Sequence, residues 1–382
     1  MNKIENLINK LCPHGVVFKN LENCCNILDS KRKPITKSSR VSGIYPYYGA
    51  NGIQDYISDY IFDGKFVLVG EDGSVINENG NPIVNWAEGK IWVNNHAHII
   101  EEIDGISLRY LFHYLQTINV VNLIHGNIPK LNQGDFRKLK IAVPPMEVQN
   151  EIVHILDDFT LLSAELSAEL KARKQQYNYY KGNLLTFSKN DNNIEWITLG
   201  TYCKRLKGTP ITAGKMKEIE NKNGNVKVFA GGKTVIDTDE SNIPFEDIIR
   251  VPNIIVQSRG IIDFIFYDKP CSYKREMWSY TIDNKITLKY IYYYLKHNVE
   301  YFRQRGSQMG SMPQISLDVT EKYKIALPNF NEQERIVNIL DKFEELCNDI
   351  SEGLPAEIEA RRKQYEYYRD KLLTFKELKV EN

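Results

Sequence analysis

Apolar residues along this chain follow two different patterns. From about residue 16 to 140, short runs rich in β-branched and aromatic residues, such as 65–69 and 91–93, are separated by Asp-Gly, Asn-Gly and Glu-Gly pairs. This pattern is typical of a compact β-rich domain with tight turns. Helical spacing of apolar residues at 4–11 and at 108–117 predicts two helices that accompany this domain.

From about Val148 the apolar period becomes helical and remains so for almost forty residues. The apolar positions are spaced by three, four or their sum: Ile152, Ile155, Phe159, Leu162, Leu166, Leu170, Tyr177, Tyr180 and Leu184. This is the spacing of a coiled-coil seam. A helix of roughly 38 residues would be about 57 Å long at 1.5 Å per residue. We therefore predict a long rod rather than a core helix of a small domain.

The same succession of patterns occurs twice. Residues 141–187 return as 325–375: both copies open with Ile-Ala-x-Pro and close on Gln-Tyr-x-Tyr-Tyr and Leu-Leu-Thr-Phe. A β-rich pattern also restarts at Trp196. The second copy carries four extra residues, and its Gly353 and Pro355 predict a break in the helix near 351–355. The chain is a tandem duplication.

The predicted fold class is α+β, with two β-rich domains in tandem and a long helix after each. The predicted boundaries are 1–143 and 196–327 for the β-rich domains, 144–187 and 328–376 for the helical spacers, 188–195 for a polar linker and 377–382 for a tail. We expect the two helices to pair as an antiparallel coiled-coil spacer with pseudo-two-fold symmetry. Two inverted modules at a fixed distance suit a duplex with two separated half-sites.

Composition limits the possible partners. Lys plus Arg (49) balance Asp plus Glu (49), so the net charge does not indicate a polyanionic partner and only local patches remain. The six cysteines include no Cys-x-x-Cys pair, which favours reduced thiols. We recognise no secretory signal in the first residues and no apolar run long enough to span a membrane. A cytoplasmic location is therefore expected.

Two basic loops occupy corresponding places in the two β-rich domains. Such loops are usually solvated surface, but their recurrence in a duplicated module favours contacts with phosphates. The candidates are Lys31, Arg32, Lys33, Lys37 and Arg40 in the first domain, and Lys204, Arg205, Lys207, Lys215 and Lys217 in the second.

Amide, aromatic, imidazole and cationic side chains on glycine-rich turns are candidates for reading base edges. The alternative for each is packing at a strand edge. In the first domain the set is Tyr45, Tyr47, Tyr48, Asn51, Asn94, Asn95, His96 and His98. In the second domain it is Lys233, Gln257, Ser258, Arg259, Tyr273, Lys274 and Arg275. Lys130, Gln308 and Gln314 flank an element that both domains share, Gly-Asn-Ile-Pro-Lys-Leu at 126–131 and Gly-Ser-Met-Pro-Gln-Ile at 310–315.

Signals for catalysis are incomplete. Asp72 with Glu88-Gly89-Lys90 has the form of a nuclease metal site, but the second half has no matching set. A P-loop and a methyltransferase cofactor motif are both missing from the sequence. His96 and His98 lack the further ligands of a metal site, so we predict no catalytic residue and no metal. The basic residues at 171–181 are interpreted as rod surface or a docking face for partner helices.

The most specific segments of the chain are 328–341 (PNFNEQERIVNILD) and 360–375 (ARRKQYEYYRDKLLTF). In these segments, and in its layout over essentially the whole length, the chain resembles the specificity subunits of type I restriction-modification enzymes. The first copy departs from this pattern: it has Val148-Gln149 where the second has Glu332-Gln333. Strict equivalence of the contacts made by the starts of the two rods is therefore not implied.

The resemblance implies a non-catalytic subunit that reads an asymmetric bipartite sequence in double-stranded DNA. It also implies two methyltransferase subunits and restriction (translocase) subunits as partners. S-adenosylmethionine, ATP and magnesium would be bound by those partners and not by this chain. The alternative function is a structural coiled-coil adaptor that spaces two protein partners without sequence-specific DNA contact.

Overall fold

A computed structural model of the chain describes residues 2–73, 75–189, 191–309, 312–348 and 353–378. The chain divides into two compact units, one formed by 1–167 with 357–382 and the other by 168–356. Each unit thus combines a β-rich domain with the start of the helical segment that follows it and the end of the other helical segment. Within the described residues, no helix is long and apolar enough to cross a membrane.

The described residues of the first unit contain ten strands. They are β1 (Val17–Asn20), β2 (Asn26–Ile27), β3 (Ser42–Gly49), β4 (Gly52–Ile57), β5 (Phe62–Gly70), β6 (Val84–Val93), β7 (Ala97–Glu101), β8 (Ile124–His125), β9 (Lys130–Leu131) and β10 (Lys140–Val143). Its helices are α1 (Asn2–Leu11), α2 (Leu108–Leu115), α3 (Gln133–Arg137) and the beginning of α4 (Met146–Leu184). The helices expected at 4–11 and 108–117 are therefore present.

A six-stranded sheet of order β2-β7-β5-β6-β3-β4 organises the first unit. Its pairs are antiparallel except for β3 and β6, which run parallel. Successive residues of β5 point to opposite faces, as the pleat of a strand requires. Val67 and Val69 accordingly belong to the core that includes α2 and α4, and Phe66 and Leu68 to a second core. The sheet is therefore covered on both faces.

The described residues of the second unit contain eleven strands, which form shorter sheets. The strands are β11 (Glu195–Thr198), β12 (Lys204–Lys207), β13 (Val226–Phe229), β14 (Val235–Thr238), β15 (Asn253–Gln257), β16 (Asp263–Tyr267), β17 (Cys271–Tyr273), β18 (Trp278–Thr281), β19 (Ser307–Met309), β20 (Met312–Gln314) and β21 (Lys324–Leu327). The helices are α5 (Leu199–Tyr202), α6 (Ala213–Glu218), α7 (Lys285–His297), α8 (Val299–Arg305), α9 (Leu317–Glu321) and α10 (Phe330–Asn348), with α11 (Leu354–Leu372) reaching from this unit into the first.

The sheets of the second unit have the orders β12-β18-β15-β16 and β14-β13-β17. β13 and β17 run parallel, as β3 and β6 do in the first unit. β11 pairs with β21 just as β1 pairs with β10, so in both units a strand near the start of the domain is hydrogen-bonded to the strand that leads into the helical segment. The duplication read from the sequence therefore extends to sheet topology.

The second helical segment consists of two helices, whereas the first is a single helix. α10 ends at Asn348 and α11 begins at Leu354; residues 349–352, which include the first two positions of the predicted break, lie outside the described residues. The predicted break extends to residue 355, but Pro355 lies inside the first turn of α11. Proline is tolerated there because the first N–H groups of a helix have no partner within it.

In each unit, the start of one helical segment packs against the end of the other. In the first unit the rings of Phe159 and Tyr368 stack with centroids 5.3 Å apart. In the second unit Phe343 and Tyr180 hold the same positions of the repeat, and their centroids are 5.8 Å apart. The apolar residues of the predicted seam are thus used for packing inside each unit.

Candidate nucleic-acid interface

Four turns meet at one end of the six-stranded sheet of the first unit. They are residues 50–51 between β3 and β4, 71–73 after β5, 94–96 between β6 and β7, and 126–130 in the β8–β9 hairpin; we call them loop cluster 1. Backbone hydrogen bonds hold them together: Asn94 N–H donates to Tyr48 O (3.0 Å) and Gly73 N–H to Pro129 O (2.9 Å). Gly73 has a φ of +83°, a conformation in which glycine is favoured.

Loop cluster 1 lines an open cleft of about 380 Å³ with polar side chains. Asn51, Asn95 and His96 are exposed. His96 Nδ1 contacts the Asp72 carboxylate, and the adjacent Lys130 forms an ion pair with Glu71 at 3.2 Å. The cleft therefore presents amide donors and acceptors together with an imidazole, which are the groups that hydrogen-bond to base edges.

Three turns and a strand of the second unit form a corresponding loop cluster 2: residues 230–233, 258–260 and 274–276, and β20 at 312–314. Lys274 N–H donates to Phe229 O (3.0 Å), and Gly260 N–H donates to Pro313 O (2.9 Å). Gly260 has a φ of +79°. Arg259, Lys274 and Glu276 line a cleft of about 510 Å³ here.

The two clusters share a backbone frame but carry different side chains. Gly73 bonds to Pro129 as Gly260 bonds to Pro313, and Leu131 N–H donates to Glu71 O as Ile315 N–H donates to Ser258 O. In this frame Asp72 corresponds to Arg259, His96 to Glu276 and Asn95 to Arg275. The first cluster thus has a carboxylate next to an imidazole, and at the corresponding positions the second cluster has a guanidinium and a carboxylate. One scaffold therefore presents two different patterns of donors and acceptors.

The sequence did not reveal this correspondence around Asp72. The segments Glu71-Asp72-Gly73 and Ser258-Arg259-Gly260 have only the glycine in common. The shared Gly…Pro element at 126–131 and 310–315 was visible, but not the turn to which it bonds. The signal that identifies the turn is the left-handed glycine, which a sequence comparison cannot distinguish from any other glycine.

Several predicted base readers have structural roles instead. The residues that are buried in their units are Tyr47, Tyr48, Asn94, His98, Gln257, Ser258 and Tyr273. Tyr47, for example, is 1% exposed, and its hydroxyl lies between the backbone N–H and carbonyl of Ile35. The Gln257 amide donates to Gly232 O at 2.8 Å. We interpret these side chains as supports of the loops rather than as contacts to DNA.

Arg32 is also revised from a phosphate contact to a structural residue. Its side chain is 11% exposed and pairs with Glu71 (2.6 Å) and Asp29 (3.5 Å), and it donates to the carbonyl of Ala97 (2.6 Å). Arg40 is similarly engaged: its guanidinium lies 4.1 Å from the ring centroid of Tyr47 and pairs with Asp55 at 3.4 Å. Both cations fix the basic loop on the sheet.

Other predicted cations point outward. Lys31, Lys33 and Lys37 are exposed in the first unit. In the second unit the predicted cations that are exposed are Lys204, Arg205, Lys207, Lys215, Lys217, Lys233, Arg259 and Arg275. Arg205, Lys207 and Arg275 line one cleft of about 530 Å³ together with Asp247. Arg205 pairs with Glu321, Lys215 with Glu218 and Lys274 with Glu276, so these three are partly neutralised at the surface.

The remaining predicted residues lie on the β19–β20 hairpin. Gln314 is half-buried and forms a β-bridge with Arg259, which places it in loop cluster 2. The side chain of Gln308 lies outside the part of the chain that the structure describes.

Asp29, Glu71 and His98 bring potential metal-ligating atoms within 4.8 Å of one another beneath loop cluster 1. The guanidinium of Arg32 pairs with both carboxylates, and Nδ1 of His98 donates to Asp29 at 2.7 Å. Burial acts to raise the pKa of Asp29, but the hydrogen bond and charge of His98, with the N–H of Ile99 and the charge of Arg32, hold that pKa below its ordinary value. This donor set fits an internal ion-pair network rather than a metal centre.

Comparison with known proteins gives consistent matches. A family model described as "Type I restriction modification DNA specificity domain" matches residues 13–175 and 207–360. The chain is 37% identical over 385 residues to a putative type I restriction enzyme specificity subunit of Haemophilus influenzae, covering 94% of this chain and 96% of that protein. It is 35% identical over 291 residues to a type I restriction enzyme specificity subunit of Escherichia coli, covering 70% and 71%.

The fold also matches a solved structure. The S subunit of the type I restriction-modification system of M. genitalium superposes with a TM-score of 0.63, covering 94% of this chain and 96% of that chain. The sequence identity of that pair is 15%, so this likeness concerns the fold alone.

Proposed function

This chain belongs to the family of type I restriction modification DNA specificity proteins, and from that membership we propose that it reads a bipartite DNA sequence through loop clusters 1 and 2. The chain contributes recognition, and catalysis lies in methyltransferase and restriction subunits that assemble with it. S-adenosylmethionine, ATP and magnesium belong, in this proposal, to those partners.

The observation that carries the proposal is the shared frame with exchanged side chains. The same glycine-to-proline hydrogen bond fixes each cluster, while Asp72 is replaced by Arg259 and His96 by Glu276. A scaffold that only spaced two proteins would have no need for two clefts that carry different charged side chains. Two different donor and acceptor patterns are what an asymmetric target with two half-sites requires.

Within this proposal the named residues divide into two groups. Side chains of the loop clusters read base edges: Asn51, Asn95, His96 and Lys130 in the first unit, and Lys233, Arg259, Lys274, Arg275 and Gln314 in the second. Exposed cations of the two basic loops contact phosphates and fix the register on the duplex: Lys31, Lys33 and Lys37, and Lys204, Arg205, Lys207 and Lys215.

The helical segments act in this proposal as an antiparallel coiled-coil spacer with pseudo-two-fold symmetry. Support comes from inside each unit, where the Phe159–Tyr368 and Phe343–Tyr180 contacts pair the start of one segment with the end of the other. The charged outer faces of these helices are proposed as docking surfaces for the two methyltransferase subunits. The protein acts, in this proposal, in the cytoplasm.

The test uses the chain assembled with its methyltransferase subunits. Mapping modified adenines across the host genome gives the target, and a duplex with that sequence is then titrated over a range of salt concentrations. Replacing Lys31, Lys33 and Lys37 by Ala is expected to lower the affinity and to make the slope of log K against log salt shallower by about 0.9 for each lost phosphate contact.

A matched control is Lys65→Ala, which removes an exposed lysine near the start of β5, at the opposite end of that strand from residues 71–73 of loop cluster 1. It should leave affinity and slope unchanged. If the triple variant binds the target as the unaltered complex does, the basic loop makes no phosphate contact. If the unaltered complex shows no preference for any split sequence, the structural adaptor becomes the better description.

A further inference from the structure

Each loop cluster exposes one large apolar side chain at the same position. Ile128 in the β8–β9 hairpin is 69% exposed, and Met312 in the β19–β20 hairpin is 51% exposed. Both immediately precede the proline whose carbonyl accepts the bond from the left-handed glycine, Gly73 or Gly260. Ile128 lines the cleft of cluster 1 and Met312 the cleft of cluster 2.

Both positions carry an apolar residue, although the charged residues around them differ between the two clusters. Around Ile128 the frame carries Asp72 and His96, and around Met312 it carries Arg259 and Glu276. Isolated apolar residues on a surface are normal. The same position exposed twice, in two clefts that carry different charged side chains, indicates a function that both clusters share and that differs from hydrogen bonding.

We propose that Ile128 and Met312 are the apolar base contacts of the two half-sites. This inference rests on the proposed function, since it assigns a further specificity-determining residue to each cluster. DNA offers two apolar surfaces to such a side chain: the methyl group of thymine at the base edge and the face of a base at an opened step. Ile is branched and stiff whereas Met is unbranched and flexible, so the two hairpins would fit different base steps.

Two features of the hairpin favour this role. The backbone after the apolar residue is fixed by proline and by the bond from the glycine at 2.9 Å in both units, so the side chain is held at the cleft. The exposed apolar surface of the free protein is then removed from water only when DNA binds. Burying a side chain of this size contributes about the affinity of one good base contact.

The test is truncation of each side chain in the complete complex with methyltransferase subunits. Ile128→Ala is expected to lower the affinity for the mapped target roughly tenfold, and to relax the base preference in one half-site. Met312→Ala should do the same in the other half-site. The affinity for unrelated DNA and the salt slope should not change, because no phosphate contact is lost.

Ile44→Ala is the matched control for the first unit. Ile44 is 77% exposed near the opposite end of β3 from loop cluster 1, so the same chemical change there should leave specific binding intact. All three positions are exposed, so thermal unfolding should stay close to that of the unaltered chain. Equal weakening for target and unrelated DNA, or no weakening at all, would overturn the inference.

The outcomes separate this inference from the function on which it rests. An unaltered complex without sequence preference contradicts the proposed function itself. A complex that prefers its target equally with and without Ile128 contradicts only the apolar contact. Loss of methyltransferase assembly in the absence of DNA would show that the hairpin binds a protein partner and would also overturn the inference.

Modified duplexes distinguish the two apolar surfaces of DNA. Replacing each thymine of the half-site by uracil removes one methyl group, and the Ile128→Ala penalty should disappear at the contacted position if the methyl is read. If the side chain enters an opened step, 2-aminopurine next to that step should brighten with the unaltered complex and not with the variant. Absence of both signals overturns the base contact.

Discussion

At the scale of single residues, neighbours in one basic loop have opposite roles. Arg32 is 11% exposed and joins Asp29, Glu71 and the Ala97 carbonyl, whereas Lys33 beside it is exposed. Arg32 thus pairs with two carboxylates, those of Asp29 and Glu71, next to loop cluster 1. Removing one partner of a buried pair leaves the other charge without compensation, which costs far more than the pair itself contributes.

We therefore predict that Arg32→Ala lowers the free energy of unfolding by about 3–5 kcal/mol, as measured by urea denaturation. Lys33→Ala is the matched control and should stay within about 0.5 kcal/mol while weakening DNA binding in a salt-dependent way. A stable Arg32→Ala chain with weak DNA binding would instead return Arg32 to the phosphate contacts.

The sequence could not separate these two roles. A run of basic residues predicts a loop that is either solvated or bound to an anion. Arg32 and Lys33 both fit this prediction equally well. Their difference depends on Glu71, which is distant in sequence and reaches Arg32 only after β5 pairs with β7. The sequence is equally uninformative about Tyr47. Its aromatic ring is compatible with a base contact, but in the structure its hydroxyl is hydrogen-bonded to the backbone of Ile35.

At the scale of elements, the helix of each β-rich domain is joined to the helical segments by a polar junction. In the first unit Asp157 of α4 accepts from Arg109 (2.7 Å) and from His113 (2.8 Å) of α2, and His113 Nδ1 lies 3.0 Å from the Tyr365 hydroxyl of α11. A neutral imidazole satisfies both contacts by donating from Nε2 and accepting at Nδ1.

The second unit repeats the junction with other residues. Asp341 of α10 accepts from Lys289 (2.7 Å) and from the hydroxyl of Tyr293 (2.5 Å), both on α7. Glu344 joins them, and its pKa is raised by burial. The histidine of the first junction therefore corresponds to a tyrosine, so the imidazole of this position is present in the first junction and not in the second.

Burial, with the charge of Arg109, lowers the pKa of His113 even though Asp157 opposes this shift. A histidine with a lowered pKa stays neutral in the folded state while the unfolded chain takes up a proton below about pH 6.5. Its contribution to stability is therefore present above that pH and is lost as the pH falls. We predict that the first unit loses unfolding free energy between pH 7 and 5, by at most about 1.4 kcal/mol per pH unit from this residue.

His113→Gln tests this prediction because glutamine keeps a donor and an acceptor but cannot titrate. The variant should lose less stability than the unaltered chain over the same interval, measured by urea denaturation at each pH. Tyr293→His is the reciprocal change and should introduce a new loss in the second unit. Parallel pH profiles for His113→Gln and the unaltered chain would assign the dependence to other groups.

At the scale of the whole molecule, the sequence predicted the duplication and its alternation of domain and helix. It did so because periodicity and repeated motifs are local signals that survive divergence. Each unit takes its helical parts from both copies, and the positions at which one unit ends and the other begins carry no signal in the sequence. The loop clusters remained hidden for the same reason, since their segments come from four separate places in each domain.

If the helical segments set the distance between half-sites, their length must appear in the DNA gap. Inserting seven residues after Ser167 in α4 and seven after Ala356 in α11 adds two turns, or about 10.5 Å, and keeps the apolar seam on its face. At about 3.4 Å per base pair, the preferred gap should lengthen by about three base pairs, while both half-sites stay the same. Mapping modified adenines in cells that carry the variant measures both. An insertion in α4 alone makes the helices unequal in length and should abolish methylation. If the gap is unchanged with the double insertion, the helices do not set the distance between the half-sites.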